Sequence, residues 1–501
     1  MKGYIPFTCA LVKRMDTDNA AKTSKNFIFL IFAALLVTVS ALIPVNGVLS
    51  RTGLMVIVIF VSVIYLWAVT DSEWVSFFCL AALAFIPELS MSDVLNASFG
   101  SQLFGFLLFT FMCTKILSET PFLRRCSLAI LSSRFSSKGP WWFIVMYSAS
   151  VILIGSFIST TVLTMIYLSI NEEIFKLLDI KKGDKFAKLL TVVLIISSNI
   201  SCGMTPISHV FPPVALNAYT AATGETVSFA SYMLIAVPTG IICTALMLLI
   251  FRFIINPDFS NWKAIDFDSL KKGLPKAGRK EITVAVIFLI VVFGWLFPGT
   301  VLKMLPHLSD FIGKKIDTAF PPLFGCILLL CLPMGKDEAP ITPRNALQGM
   351  PWAALFMVAA TQALGKALAL ESAGIYSIMQ NASQSLAAST SYAAVGVIII
   401  IAWTLLQTNL TSNLVTVTLV ASVGIQVALM LSGINAKALL ACVGMAASFS
   451  FCTPAAAVNV PIGIGTGWCS AKDIFKYGVP VMFACLLVLI LFSYTMFCTV
   501  F

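Results

Sequence analysis

Apolar runs separated by short polar loops fill this chain. Runs that read as single membrane spans lie at Asn26–Val45, Leu54–Thr70, Trp74–Pro87, Gln102–Leu117, Ser228–Ile255, Ile282–Pro298, Phe320–Pro333, Leu347–Leu370 and Phe475–Val500. About 20 apolar residues are enough to cross a bilayer as a helix. Two further uncharged stretches do not read as simple spans. Residues 139–171 are interrupted by Gly155-Ser156-Phe157-Ile158-Ser159-Thr160-Thr161, and residues 372–436 by Gln407-Thr408-Asn409-Leu410-Thr411-Ser412-Asn413. Each predicts a hairpin that enters the membrane and returns.

Two long runs carry breakers. Residues 189–224 contain Ser197-Ser198-Asn199, Gly203, Pro206, Pro212 and Pro213, and residues 439–464 are interrupted from Ser448 to Asn459, with Pro454 and Pro461. Helix interiors do not tolerate prolines at that density. The first run predicts a half-helix, an unwound stretch around Ser201–Ser208 and a return. The fold expected is an all-α polytopic membrane protein with two re-entrant hairpins and about 11 transmembrane helices. Hydrocarbon offers no water to broken backbone, so each polar break must line a protein-walled cavity. Paired breaks in the two halves are the sequence mark of a transporter's binding site.

Charge then orients the chain. The tail 1–25 holds Lys2, Lys13, Arg14, Lys22 and Lys25, and the loop before the first hairpin holds Arg124, Arg125, Arg134 and Lys138. Basic loops favour the cytoplasm, which places the N-terminus inside and the hairpin 141–170 as entering from inside. The stretch 256–281, with Lys263, Lys271, Lys272, Lys276, Arg279 and Lys280, reads as a cytoplasmic linker between halves 26–255 and 282–501. Residues 371–391 carry no Lys or Arg. The second hairpin, 392–430, is therefore expected to enter from outside, as in an inverted repeat, with the C-terminus outside. Lys303, Lys314 and Lys315 in the expected outer loop run against the charge rule. Echoes tie the halves: Val227–Met233 leads to Ala236-Val237-Pro238, and Ala471–Tyr477 leads to Gly478-Val479-Pro480.

Composition narrows the class. The 501 residues are 59% hydrophobic and 11% charged, with mean hydropathy +0.97. Soluble domains carry roughly 25% charged residues. The net charge of +10 sits in short loops, which favours topology and anionic headgroups over nucleic acid. The 13 Cys are scattered, mostly in apolar runs and without a CxxC pair, as small apolar residues rather than disulfides or metal ligands. The breaks offer no cluster for catalysis, so an enzyme is not expected.

The long uncharged runs hold no cation to meet an anionic substrate. Half-helix N-termini and co-bound Na⁺ remain as sources of positive potential, the ion held by carbonyl, Ser, Thr or Asn oxygens. The elements at hand are Ser159-Thr160-Thr161 and Thr411-Ser412-Asn413 at the tips, with Gly203-Met204-Thr205-Pro206 and Cys452-Thr453-Pro454 opposite. His209 lies in the first break, where a structural role outweighs a proton relay. A Na⁺/H⁺ antiporter would favour a membrane-depth Asp or Glu, and the central runs lack one.

At these residues the chain resembles the divalent anion/sodium symporter family, carriers of di- and tricarboxylates and sulfate. That family bears Ser-Asn-Thr at each hairpin tip; here the tips read Ser159-Thr160-Thr161 and Ser412-Asn413-Leu414. The segment Asn199–Ser208, with Thr205-Pro206-Ile207, is similar to the family's Asn-Ile-Gly-Gly…Thr-Pro-Ile-Gly, and Pro212-Pro213…Asn217 to its Pro-Pro-Asn. Cys452-Thr453-Pro454-Ala455…Asn459 is the looser partner, and Pro351-Trp352 also matches. The resemblance implies Na⁺-coupled uptake of a C4-dicarboxylate or related carboxylate by a homodimer with scaffold and elevator-like transport domains. It implies one Na⁺ site at Ser159, Thr160 and Gly203, and another at Thr408, Thr411, Asn413, Cys452 and Pro454. Substrate contacts would be Ser159, Thr160, Thr161, Ser412, Asn413 and Thr453, with Asn199, Thr205, Pro206, Pro212, Pro213 and Asn459 shaping the breaks. Thr160 stands where the family has Asn, and Leu414, in place of Thr, removes a hydroxyl. A Na⁺-independent exchanger and an oxyanion or Na⁺/H⁺ antiporter of the same superfamily are the alternatives.

Overall fold

The computed structural model describes residues 25–43, 50–70, 73–254, 259, 274–300, 318–335, 340–374, 390–431 and 433–501. The N-terminal tail, most of the linker 256–281, Lys303, Lys314 and Lys315, and most of 371–391 lie outside the described residues.

The first half comprises α1 (Lys25–Leu42), α2 (Arg51–Thr70), α3 (Trp74–Leu83), α4 (Met91–Ala97), α5 (Gln102–Ser118), α6 (Phe122–Leu131), α7 (Pro140–Gly155), α8 (Thr160–Leu177), α9 (Lys185–Met204), α10 (Phe211–Thr223) and α11 (Phe229–Ile254). The second comprises α12 (Arg279–Thr300), α13 (Phe320–Cys331), α14 (Pro343–Leu347), α15 (Trp352–Leu368), α16 (Thr390–Thr408), α17 (Asn413–Met430), α18 (Ala436–Ser448), α19 (Asn459–Gly465) and α20 (Ala471–Val500). Six of these are long and apolar enough to cross a membrane alone. The described residues form an all-helical membrane protein, as the apolar pattern predicts.

Both hairpins fold back on themselves. Tyr147 donates to Asn171 Oδ1 (2.8 Å), and the Ser150 and Tyr167 hydroxyls are bonded to each other. These pairs share nearly the same midpoint in sequence, so α7 and α8 run antiparallel about a tip next to Ser159. Gly396 faces Val427, and Gly424 faces Ile400. Their common midpoint sets the α16–α17 tip beside Ser412.

The hairpins approach from opposite ends of the same bundle. The base of the first lies beside the end of α19: Lys182 donates to Thr466 O (2.6 Å), and Trp468 packs on Phe175 (4.5 Å between centroids) and donates to Glu172. The base of the second lies beside the end of α10, where Lys437 pairs with Glu225 (2.8 Å). Helices α7–α11 and α16–α20 enclose the breaks. A separate apolar cluster holds α2, α3 and α15, with Trp67, Leu83, Met357 and Leu364 inside.

Several sequence expectations are corrected. The first break begins at Thr205, not Ser201: Ser201, Cys202, Gly203 and Met204 stay helical. Pro206 disfavours helical backbone in the residue before it, and Thr205 is extended (φ −136°, ψ 151°). Asn199 is likewise helical and buried, so it braces the break from within α9 and does not unwind it. Pro212 and Pro213 sit in the first turn of α10, where proline is tolerated because early N–H groups lack helical acceptors. The span predicted from Leu347 begins at Trp352, because Pro351 separates it from α14. The last span starts earlier, at Ala471, where Ser470 and Asp473 form a reciprocal N-terminal cap.

The basic loop before the first hairpin contains a helix that the apolar pattern did not reveal. On α6, Arg124 reaches Glu173 on α8 (2.6 and 2.7 Å) and Ser169 (3.1 Å). Its neighbour Arg125 reaches Glu281 on α12 (2.8 and 3.1 Å).

Candidate functional site

Four helix interruptions meet at the centre of the bundle. In the first half α7 ends at Gly155, α8 begins after Ser159, α9 ends at Met204 and α10 begins at Phe211. In the second half α16 ends at Thr408, α17 begins after Ser412, α18 ends at Ser448 and α19 begins at Asn459.

The tips are built alike. Ser159 (φ −58°, ψ 138°) and Ser412 (φ −57°, ψ 129°) occupy the N-cap positions of α8 and α17. Neither side chain bonds to its own helix. An N-cap serine ordinarily satisfies one of the free N–H groups of the first turn. Here both hydroxyls and both sets of N–H groups are left for another acceptor.

Hydrogen bonds fix the partners of each tip. Thr205 donates through its hydroxyl to Ser156 O, joining the first break to the first tip. Gly155 lets α7 approach α9: a Cβ there would fall 2.3 Å from Ser201 Oγ and 2.6 Å from Leu163 Cδ2. Gly203 lies against Phe449 and Met445 across the bundle, and its carbonyl accepts from Tyr232 (2.6 Å). At the second tip Thr408 donates to Ala447 O (2.7 Å) and Thr453 donates to Asn409 O (2.7 Å). Asn409 Oδ1 accepts from the Phe451 and Cys452 N–H groups, both at 2.8 Å.

Asn413 completes this frame. With its amide oxygen accepting from Ser450 (2.6 Å), its nitrogen donates to Thr408 O (3.3 Å), Thr408 Oγ1 (3.2 Å) and Ala456 O. The Ser450 hydroxyl lies 3.5 Å from Asn199 Oδ1. Asn199 donates to Asn459 Oδ1 (3.2 Å), and Asn459 donates to Ser198 (2.7 Å). One buried chain of amides and hydroxyls thus runs from α9 through both halves of the second break to the second tip.

The predicted residues therefore fall into two sets. Thr408, Thr411, Asn413, Cys452 and Thr453 surround the second tip, and Pro454 lies exposed beside Thr453. Ser159, Thr160 and Thr161 form the first tip, linked to the first break through Ser156 and Thr205. Leu414 does not leave a bare gap in the pocket; it packs between the central core and the α2–α15 cluster. Sequence reading missed Asn409, Ser450, Ser156 and Tyr232. Asn409 lay within the polar cluster and could have been singled out, whereas Tyr232 carries no local signal.

The electrostatics follow from helix ends. Helix C-termini carry partial negative charge and unpaired carbonyls, and N-termini carry the opposite. At the first site the C-termini of α7 and α9 meet, joined by the Thr205–Ser156 bond, and at the second those of α16 and α18, joined by Thr408–Ala447. Those are settings for a hard cation. The N-termini of α8 and α17 supply the setting for an anion.

Broken helices that enclose an uncharged polar centre in an all-helical membrane protein are the architecture used by secondary transporters. A profile of the citrate transporter family matches residues 62–447, and the chain belongs to that family. It is also similar to the sodium-dependent dicarboxylate transporter SdcS of Staphylococcus saprophyticus, 24% identical over 495 residues that cover 95% of this chain and 92% of the relative. The resemblance to carboxylate carriers, first drawn from the hairpin tips, is borne out.

Proposed function

We propose that this protein imports C4-dicarboxylates or closely related carboxylates, coupled to Na⁺. The observation that carries the reading is the pair of uncapped serines, Ser159 and Ser412, at matched helix N-termini facing matched carbonyl ends. A dicarboxylate presents two anionic ends, and the site presents two anion-seeking helix starts. Na⁺ supplies the charge that side chains do not. Its oxygens would come from Ser159, Thr160 and Gly203 at one tip and from Thr408, Thr411, Asn413, Cys452 and Pro454 at the other. A hydroxyl that donates its proton, as Thr408 does to Ala447, and accepts one bond, as Thr408 does from Asn413, still keeps one lone pair for a cation. The name of the similar sodium-dependent dicarboxylate transporter supports both the ion and the substrate class.

The same reading assigns the hairpins to the two faces of the membrane, the first opening inside and the second outside, as an inverted repeat with the N-terminus in the cytoplasm. The opposed hairpin bases support it. Helices α7–α11 and α16–α20 then form the moving body of an elevator, and α1–α5 with α12–α15 its scaffold, in a homodimer as the family resemblance implies. Asn217 on α10 donates to Gln362 on α15 across that boundary.

Uptake by proteoliposomes, across a panel of succinate, malate, fumarate, citrate and sulfate, tests the function. An inward Na⁺ gradient is expected to drive concentrative uptake of the C4-dicarboxylates. Equal uptake without Na⁺, stimulated by internal dicarboxylate, would establish the exchanger instead. Sidedness is tested with single cysteines replacing Ser159 and Ser412 in a background without native cysteines. The first is expected to react with impermeant maleimide from inside and the second from outside. Labelling of both from one side would end the inverted arrangement.

A further inference from the structure

Two ion pairs at opposite ends of the bundle join the halves reciprocally. Lys188, in the first turn of α9, pairs with Asp473 in the first turn of α20 (2.9 Å). Lys437, in the first turn of α18, pairs with Glu225 just past the C-cap of α10, in the connection to α11 (2.8 Å). Tyr219 also donates to Glu225 (2.8 Å), and the Lys437 ammonium lies 5.3 Å from the Tyr219 ring centre. In each pair the lysine stands on the half-helix that runs to its own half's break. Asp473 stands in the first turn of the proline-bearing helix of the other half, and Glu225 in the short connection from α10 to the corresponding helix. Those two helices correspond: Phe229 to Pro238 and Ala471 to Pro480 are the same interval.

The proline-bearing helices are the backs of the breaks. On α11, Tyr232 bonds the Gly203 carbonyl, and Gly240 makes room for Met204. On α20, a Cβ at Gly478 would meet Phe451 O at 3.1 Å and Cys452 Cα at 3.2 Å. The short connection that joins α10, leading out of the first break, to α11, which backs it, is therefore pinned to α18, and the helix that backs the second break is pinned to α9. A shift at the first break is passed along α10 and the Glu225–Lys437 pair to α18, which leads into the second, and a shift at the second along α20 and the Asp473–Lys188 pair to α9, which leads into the first.

We infer that Lys188–Asp473 and Lys437–Glu225 are positioning pairs that couple the two ion-binding half-sites, so that Na⁺ at one prepares the other. Coupling of this kind is a reciprocal free energy between sites. The inference rests on the proposed pair of Na⁺ sites. None of the four charged side chains belongs to the tips or breaks.

The test measures Na⁺ dependence of succinate uptake in proteoliposomes. The lysines are cut, because Asp473 also caps α20 and its loss would uncap that helix. Lys188→Gln with Lys437→Gln is expected to keep maximal uptake and raise half-saturating Na⁺ by about threefold to tenfold, the scale of two partly exposed pairs. The Hill coefficient is expected to fall from about 2 toward about 1, as coupling between two sites is lost. Exchanging the charges in Lys437→Glu with Glu225→Lys is expected to recover most of the loss caused by Lys437→Glu alone. A Na⁺ curve that overlays the wild type in the double cut overturns the inference, even if expression or melting temperature falls. So does a charge exchange that recovers nothing. If wild-type uptake ignores Na⁺, the coupling-ion reading fails separately. The pairs are then judged by succinate affinity, and an unchanged value in the double cut overturns them.

Discussion

Replacing Ser412 and Asn413 together by Ala is expected to abolish uptake while leaving protein in the membrane. Asn413 holds Ser450, Thr408 and Ala456, which tie the second tip to its facing break. Truncation removes the Asn413 partner of the Ser450 hydroxyl and of the Thr408 and Ala456 carbonyls, and each buried group left unpaired costs about 1–3 kcal/mol. Losses of that size at a binding site correspond to roughly tenfold for every 1.4 kcal/mol. Part of the effect will be structural, so the single variants matter. The Ser412 hydroxyl makes no cap bond to α17, so Ser412→Ala alone should leave thermal stability unchanged and still lower substrate affinity. Radiolabelled succinate binding and uptake, with surface expression and melting temperature, separate these outcomes. Wild-type transport by the double variant would remove the second tip from the site.

The second large effect is expected from one methyl group. Gly444 lies where α18 crosses α10: an added Cβ would fall 2.8 Å from Pro212 Cα and 3.2 Å from Ala215 Cβ. The nearest atom is backbone, and proline cannot adjust its φ to escape. Overpacking of this kind costs about 1–3 kcal/mol. Gly444→Ala should therefore lower the melting temperature and impair transport, because α18 and α10 carry the two breaks. Gly365 on α15 has nothing within 4 Å of the equivalent position. Gly365→Ala should be neutral or slightly stabilising, and equal behaviour of the two variants would refute the close crossing.

Much of this arrangement could be read from residue order, for physical reasons. Apolar runs reveal helices in hydrocarbon because a buried helix must satisfy its own backbone. Polar clusters in those runs revealed the tips, and Ser159 and Ser412 fall where expected. The limit of the first break was harder to place. Ser197, Ser198 and Asn199 look like breakers, yet Ser198 and Asn199 bond to Ile195 O one turn back and remain helical. Only Pro206, acting on Thr205, stops α9. Helix α6 escaped notice because its arginines resemble a cytoplasmic loop until their partners on α8 and α12 are known. The cross-half contacts of Asn199 with Ser450 and Asn459, and the bond from Tyr232 on α11 to Gly203 on α9, depend on packing between separate segments, which no local pattern encodes.

Those adjacent arginines have a mechanical consequence. Arg124 grips the returning arm of the first hairpin, while Arg125 grips a helix of the opposite half. Neighbouring residues in one short helix cannot drift apart, so α6 acts as a strut of fixed length between them. In the proposed elevator, sliding of the hairpin past α12 would have to swing this strut or release one of its two grips, so its stroke would be set by what one helical rod can span.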